Sequence, residues 1–241
     1  MTREYPVMIE GQLHYVIVSD DREALLAAKA AGKASVGLWQ KGESQGWLPA
    51  DHVIESVEDL DREYLEQAAR RHLGLPWVII ETKRLMLREF KAGDASRIPA
   101  EPGEGGADRI FCNRKSLEDY IHCQYGFYGY GIWAVVDRKE GTVVGKAGVT
   151  NLTGLWACVE EADALELGYH IFSPYRRQGL ALEACKGVLE WYKKHMDCPL
   201  YAKIDASNEA SIRVAKKLGF ELKDQKYTGS GQWLRLYEWN C

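Results

Sequence analysis

Residues 165–192, LELGYHIFSPYRRQGLALEACKGVLEWY, join three local patterns without a break. Leu165, Leu167, Tyr169 and Ile171 alternate with Glu166, Gly168 and His170, the two-residue period of a strand with one apolar face. Pro174 ends the strand, and a basic turn runs from Arg176 to Ala181 through Gly179. Ala181, Ala184, Cys185, Val188, Leu189 and Tyr192 then fall at i, i+3, i+4, i+7, i+8 and i+11, one face of an amphipathic helix. The joint of such a unit is an anion site, because the first helical turn leaves its N–H groups unpaired and its dipole favours negative charge. Gly179 and Ala181 are small enough to let a phosphate approach the backbone, and Arg176 and Arg177 add positive charge. The plainer reading is a surface strand-turn-helix with two solvated arginines.

The stretch resembles the acyl-CoA signature of the GNAT acyltransferases, Gln/Arg-x-x-Gly-x-Gly/Ala, as Arg176-x-x-Gly179-x-Ala181. It is most similar to the branch that holds the ribosomal-protein N-terminal acetyltransferases. Leu167-Gly168-Tyr169 and Ala181-Leu182-Glu183-Ala184 match that branch, as do Asn208-Glu209-Ala210-Ser211 and Lys217-Leu218-Gly219-Phe220. So do the run 82–88, TKRLMLR, and Gly131-Ile132-Trp133-Ala134-Val135. The resemblance spans about residues 81–237 in the family's order.

The chain of 241 residues suits one large or two small domains, and 46% hydrophobic content suits a globular core. A net charge of −4 argues against nucleic acid as a partner, which calls for a basic face. Residues 1–75 hold 8 Lys and Arg against 13 Asp and Glu, so that part is −5 and the rest +1. The acidic excess therefore belongs to the N-terminal part. Cys112, Cys123, Cys158, Cys185, Cys198 and Cys241 show no CxxC spacing, so no metal site is expected. They read as reduced thiols of a cytoplasmic protein. MTREYPVMIEGQ lacks the apolar run of a secretory signal, and no apolar stretch nears 18 residues, so no membrane span is expected.

Two domains are expected, 1–75 and 76–241, with Gly74-Leu75-Pro76-Trp77 as the boundary. In the first, strands near 15–18, 34–39 and 53–54 alternate with helices over 24–31 and 61–73, which predicts a small three-strand parallel sheet of α/β type. This part resembles the last third of a haloacid-dehalogenase-type Rossmann domain. The resemblance rests on Ser19-Asp20-Asp21, on 27–32 and on 50–56. The nucleophile motif Asp-x-Asp-x-Thr is missing, so Asp20 and Asp21 read as helix-capping residues rather than Mg²⁺ ligands.

The second domain is expected to be α+β, a mixed sheet with flanking helices. Its expected elements are a strand over 82–90, a loop over 99–113, a helix over 116–124 and a hairpin of 131–137 with 142–151. The central unit, a strand over 200–206, a short helix and a closing hairpin about Gly229-Ser230-Gly231 follow. The loop 99–113 is either one wall of an acceptor site or a surface excursion. Tyr125, Phe127, Tyr128, Tyr130 and Trp133 either line a pocket or pack in the core.

The resemblance implies acetyl-CoA as co-substrate and direct attack on its thioester by a primary amine, on a small molecule or a peptide N-terminus. It implies cofactor contacts from His170, Ile171 and Phe172 along the strand, from Arg176, Arg177, Gln178, Gly179, Leu180 and Ala181 around the pyrophosphate, and from the amide of Asn208. Glu166, a carboxylate in an apolar strand, is the first candidate for the general base, and His170 on the same face is the second. The Tyr that many GNAT enzymes carry after this Asn is missing from 212–216, and Ser211 matches the Ser that its branch places near the sulfur. A non-catalytic acyl-CoA sensor with an N-terminal interaction module is the alternative. The acceptor and the oligomeric state, a dimer included, stay open.

Overall fold

The computed structural model describes residues 1–39, 48–99, 108–156, 164–229 and 231–240. Much of the expected loop at 99–113 lies outside that set, as do Cys158, Ser230 and Cys241. The chain forms two compact units. The first takes Met1–Trp77, Lys91–Ala95 and Asn113–Gly129, and the second takes Val78–Phe90, Ser96–Cys112 and the chain from Tyr130 onward.

The first unit holds β1 (Thr2–Ile9), β2 (Gln12–Ser19), α1 (Arg22–Ala30), β3 (Ala34–Leu38), β4 (His52–Ile54) and α2 (Arg62–His72). Its sheet runs β1-β2-β3-β4. β2, β3 and β4 are parallel as expected, but β1 adds a fourth strand, antiparallel to β2. The cause is a two-residue turn, with Glu10 and Gly11 both at positive φ (49° and 80°), the geometry of a tight hairpin. Pro6 is tolerated because β1 is an edge strand. One face buries Val7, Ile9, Val16, Val18 and Val36 against Leu65, Ala68 and Ala69 of α2. Asp21 caps α1 by accepting from the amides of Glu23 (3.3 Å) and Ala24 (3.1 Å), while Asp20 takes the N-terminal ammonium.

The later segment of this unit is α3 (Arg114–Tyr120), a π-helical turn (Ile121–Tyr125) and α4 (Gly126–Tyr128). The single helix expected over 116–124 is therefore interrupted by the wider turn. Buried His52 of β4 donates Nδ1–H to the Gly126 carbonyl at 3.3 Å. Burial, then the nearby Arg71 charge, lowers the His52 pKa to about 4.

The second unit holds β5 (Val78–Glu81), β6 (Leu85–Arg88), β7 (Ile132–Asp137), β8 (Val143–Asn151), β9 (Leu165–Ile171), α5 (Leu180–His195), β10 (Leu200–Asp205), α6 (Glu209–Lys217), β11 (Phe220–Tyr227) and β12 (Trp233–Trp239). The order is β11-β12-β10-β9-β8-β7-β6-β5, antiparallel except for β9 with β10. The strand expected over 82–90 is instead a hairpin of β5 and β6, turned where the Leu85 carbonyl accepts the Thr82 amide at 2.8 Å. α5 buries Ala184, Cys185, Val188, Leu189 and Tyr192, the face its spacing predicts. Gly187 lets it sit close, since a Cβ there would meet Ile80 Cγ2 at 2.8 Å. Among the five aromatics near 125–133, Tyr125 and Trp133 are core, Phe127 and Tyr128 are exposed, and Tyr130 donates to Asn151 Oδ1 at 2.6 Å. Each fully buried large side chain contributes roughly 1.5–3 kcal/mol.

Candidate active site

The site begins where the sheet comes apart. β9 pairs with all of its length on β8, yet meets β10 at only two positions, Leu165 with Leu200 and Glu166 with Tyr201. β10 then follows β12 as far as Asp205. A wedge-shaped gap opens past Glu166. The Phe172 amide donates to Val144 O at 3.0 Å and the Leu165 amide to Pro199 O at 2.9 Å. In an antiparallel pair the bonding direction alternates, so Tyr169 and Ile171 turn their backbone groups into the gap and His170 and Phe172 turn theirs toward β8. Of the expected His170, Ile171 and Phe172, Ile171 alone turns its backbone into the gap, and Tyr169, which the strand's parity also points there, joins it.

Below the gap, Arg177 and Gly179 are both left-handed, with φ of 64° and 77°. Together they swing the chain into α5 with Gly179 as its N-cap residue. The first helical bond is from the Glu183 amide to the Gly179 carbonyl, 3.2 Å. Among the described residues, the amides of residues 177–182 have no hydrogen-bond acceptor. Six adjacent N–H groups at a helix start make an anion cradle. Arg177 lies at its rim, but the Arg176 side chain folds back. Its Nε donates to Ile171 O at 2.8 Å and its Nη2 lies 3.0 Å from His170 Nε2.

Two cavities adjoin at the gap. One, of about 620 Å³, runs from Tyr169 and Ile171 to Gly179, Leu180 and Ala181 and is flanked by α6. The other, of about 290 Å³, is lined by Phe111, Ile132, Lys146, Glu166, Lys203 and Asp205. Tyr169, His170, Asn208 and Ser211 line both and form the neck. Lys146 is buried, pairs in register with His170, and holds its Nζ 4.8 Å from the Phe111 ring centre.

Glu166 sits at the apex of the wedge. Lys203 Nζ lies 2.8 Å from its Oε2 and also donates to Thr153 O at 2.8 Å. Burial pushes the Glu166 carboxyl above the usual carboxylate range, and the Lys203 ammonium pulls it back without cancelling that effect. A carboxylate so placed accepts a proton more readily than an exposed one. His170 differs: a guanidinium N–H can only donate, so Nε2 facing Arg176 is the acceptor and the proton sits on Nδ1. That lone pair is committed to Arg176. Asn208 caps α6, its Oδ1 accepting the Ser211 amide at 3.0 Å, which leaves the NH₂ end as donor toward the cavities. The Tyr169 hydroxyl donates to Ser211 O at 3.4 Å, and burial lifts its pKa to about 12.

A family model described as an acetyltransferase (GNAT) domain matches residues 84–221, more than half of the chain. The chain belongs to the GNAT acetyltransferase family. Residues 1–83 lie outside that match, and the haloacid-dehalogenase-like resemblance gains nothing from it. The GNAT domain is similar in fold to a GNAT-family acetyltransferase structure from Bordetella pertussis, with a TM-score of 0.57 and 20% identity over 67% of this chain and 98% of that one. It is also similar to a ribosomal-protein-S5-alanine acetyltransferase from Vibrio fischeri, with a TM-score of 0.52 and 19% identity over 68% and 95%. In sequence it is 30% identical over 93 residues to an uncharacterized protein of Bacillus subtilis, YkkB, covering 38% of this chain. The chain spans about half the length of that curated relative, 51%. Among the described residues, no group of three or more His, Cys, Asp or Glu is placed to hold a metal ion, and no helix is long and apolar enough to cross a membrane.

Proposed function

We propose that this GNAT domain transfers an acetyl group from acetyl-CoA to a primary amine, on a peptide N-terminus or a small molecule. One observation carries the reading: the wedge between β9 and β10 leads directly into the row of acceptor-free amides at residues 177–182. An extended pantetheine arm fits the wedge as a strand would, and a pyrophosphate fits the amides. The fit at Gly179 is specific, because its φ of 77° excludes most side chains from the cradle. When bound, acetyl-CoA supplies an activated thioester.

The chain's own residues do the rest. Tyr169 and Ile171 offer backbone groups to the arm, and the Asn208 NH₂ donates from the other wall. Glu166, exposed to the 290 Å³ cavity, takes the proton of the incoming amine. Ser211, which lines both cavities, is the donor toward the leaving sulfur in this reading. His170 holds Arg176 and supports the strand end. The first unit is a catalytically silent module, since Asp20 and Asp21 are spent on the N-terminus and the α1 cap. Cys112, Cys123, Cys185 and Cys198 carry thiols, which suits the reducing cytoplasm.

The test is release of free CoA thiol from acetyl-CoA across a panel of peptides and small amines. Amine-dependent release above the rate without protein supports the reading. Tight acetyl-CoA binding without release for any amine reduces the protein to an acyl-CoA sensor.

A further inference from the structure

Arg84 stands in the turn between β5 and β6, where its carbonyl accepts the Arg138 amide at 2.9 Å, yet its side chain reaches the α5 start. Its Nε donates to Glu183 Oε2 at 2.6 Å and its backbone N–H to Glu183 Oε1 at 2.8 Å. Thr82 Oγ1 reaches the same Oε1 at 2.7 Å. Its Nη1 donates to the Gln178 carbonyl at 3.0 Å. Glu183 is the first residue of α5 with a helical backbone bond, and Gln178 lies between the two left-handed residues of the cradle. Arg84 thus grips the cradle from both ends. Its remaining nitrogen, Nη2, lies 3.7 Å from where a Gly179 Cβ would project. Its side chain as a whole is 45% exposed.

We propose that Arg84 is a cofactor-phosphate residue: it fixes the amide cradle through Gln178 and Glu183 and presents Nη2 to the pyrophosphate. The inference rests on the acyl-CoA reading of the cradle. It also gives work to two stretches far apart in sequence, TKR at 82–84 and Leu182-Glu183, which meet only in the fold. Lysine cannot replace it, because one ammonium on a flexible stem cannot meet Glu183, Gln178 and an anion in one plane.

The experiment compares acetyl-CoA with S-acetylpantetheine, which has the thioester and arm but no pyrophosphate. Arg84→Ala is expected to raise KM and Kd for acetyl-CoA about ten- to a hundred-fold, the scale of a lost charged hydrogen bond, with kcat at saturation retained. S-acetylpantetheine kinetics should not change, and Arg84→Lys should not restore acetyl-CoA affinity. An unchanged acetyl-CoA KM, or an equal loss on both thioesters, overturns the inference. If Arg84→Ala does not fold, Arg84→Lys decides alone: wild-type affinity in that variant overturns it. Gly179→Glu separates the two readings. If it abolishes acetyl-CoA binding while Arg84→Ala leaves it intact, only the role of Arg84 fails; if Gly179→Glu binds normally, the cradle itself is misread.

Discussion

Lys203→Met tests how the apex of the wedge is built. In the native protein the Lys203 ammonium is 2.8 Å from Glu166, and the two side chains are 20% and 19% exposed. An opposite charge this near holds a carboxyl pKa down. Removing it leaves burial acting alone, so the Glu166 pKa should climb further. If Glu166 is the base, the rising limb of kcat/KM against pH moves up with it, and below the limb the rate falls about tenfold per pH unit. Stability reports the same change independently. Breaking a fully buried pair costs about 3–5 kcal/mol, and a fifth of each side chain in water reduces that to about 2–3 kcal/mol. The sign follows from the raised folded-state pKa. Protonated Glu166 is the form the fold prefers, so its contribution is complete below the ordinary carboxylate pKa and is lost as pH rises through the folded value. Lys203→Met should therefore lose more Tm at pH 8 than at pH 5. The double variant Glu166→Gln, Lys203→Met should recover most of the loss but none of the activity. The assay is thiol release from pH 5 to 9 beside thermal melts. A limb that stays in place in Lys203→Met, with the melt shifted, would refute Glu166 as the titrating base.

Glu166→Gln alone should lower kcat/KM about 10²–10⁴-fold with little change in acetyl-CoA affinity by calorimetry. Ser211→Ala should cost less, because water can serve near the sulfur; a Ser211 effect larger than the Glu166 effect inverts the assignment. Asn208→Ala removes the α6 cap and should cost about 1 kcal/mol of stability while weakening acetyl-CoA binding; calorimetry showing full affinity would remove Asn208 from the site. His52, lowered from 6.5 to about 4 on folding, makes about 3 kcal/mol of stability pH-dependent, present above pH 6.5 and lost as pH falls toward 4. His52→Phe should flatten that window in melts between pH 4 and 7, and an unchanged slope would contradict the burial argument.

What was legible in the sequence is what depends on neighbours in the chain. The buried face of α5 follows from spacing alone, and the Gly179 turn follows from a residue that tolerates positive φ. The β7–β8 hairpin reads from alternation about a tight turn. β1 was hidden because Thr2–Ile9 carries Pro6, which argues against a strand until the strand is known to be an edge. Contacts between distant positions were not legible. Glu166 meets Lys203 only because the wedge closes at its apex, and Arg84 meets Glu183 across 99 positions. That Asn113–Gly129 belongs with the first unit is likewise set by burial of His52 and Tyr125, not by any local pattern.

The two-position pairing of β9 with β10 gives the eight-stranded sheet a second pair of edges in its middle. An exposed edge is a template for another chain, and proteins commonly blunt theirs with bulges, charge or proline. Here the interior edge turns the backbone groups of Tyr169 and the Ile171 amide into the gap, while the Ile171 carbonyl is held by Arg176. Protection comes from position: β8 backs the strand along its whole length and β10 closes one end of the slot. A strand from another protein would have to thread a wedge sealed at its apex, whereas a slender chain with few side groups can slide in. The fold thus keeps an unpaired strand edge, ordinarily an aggregation hazard, within the sheet instead of at its rim.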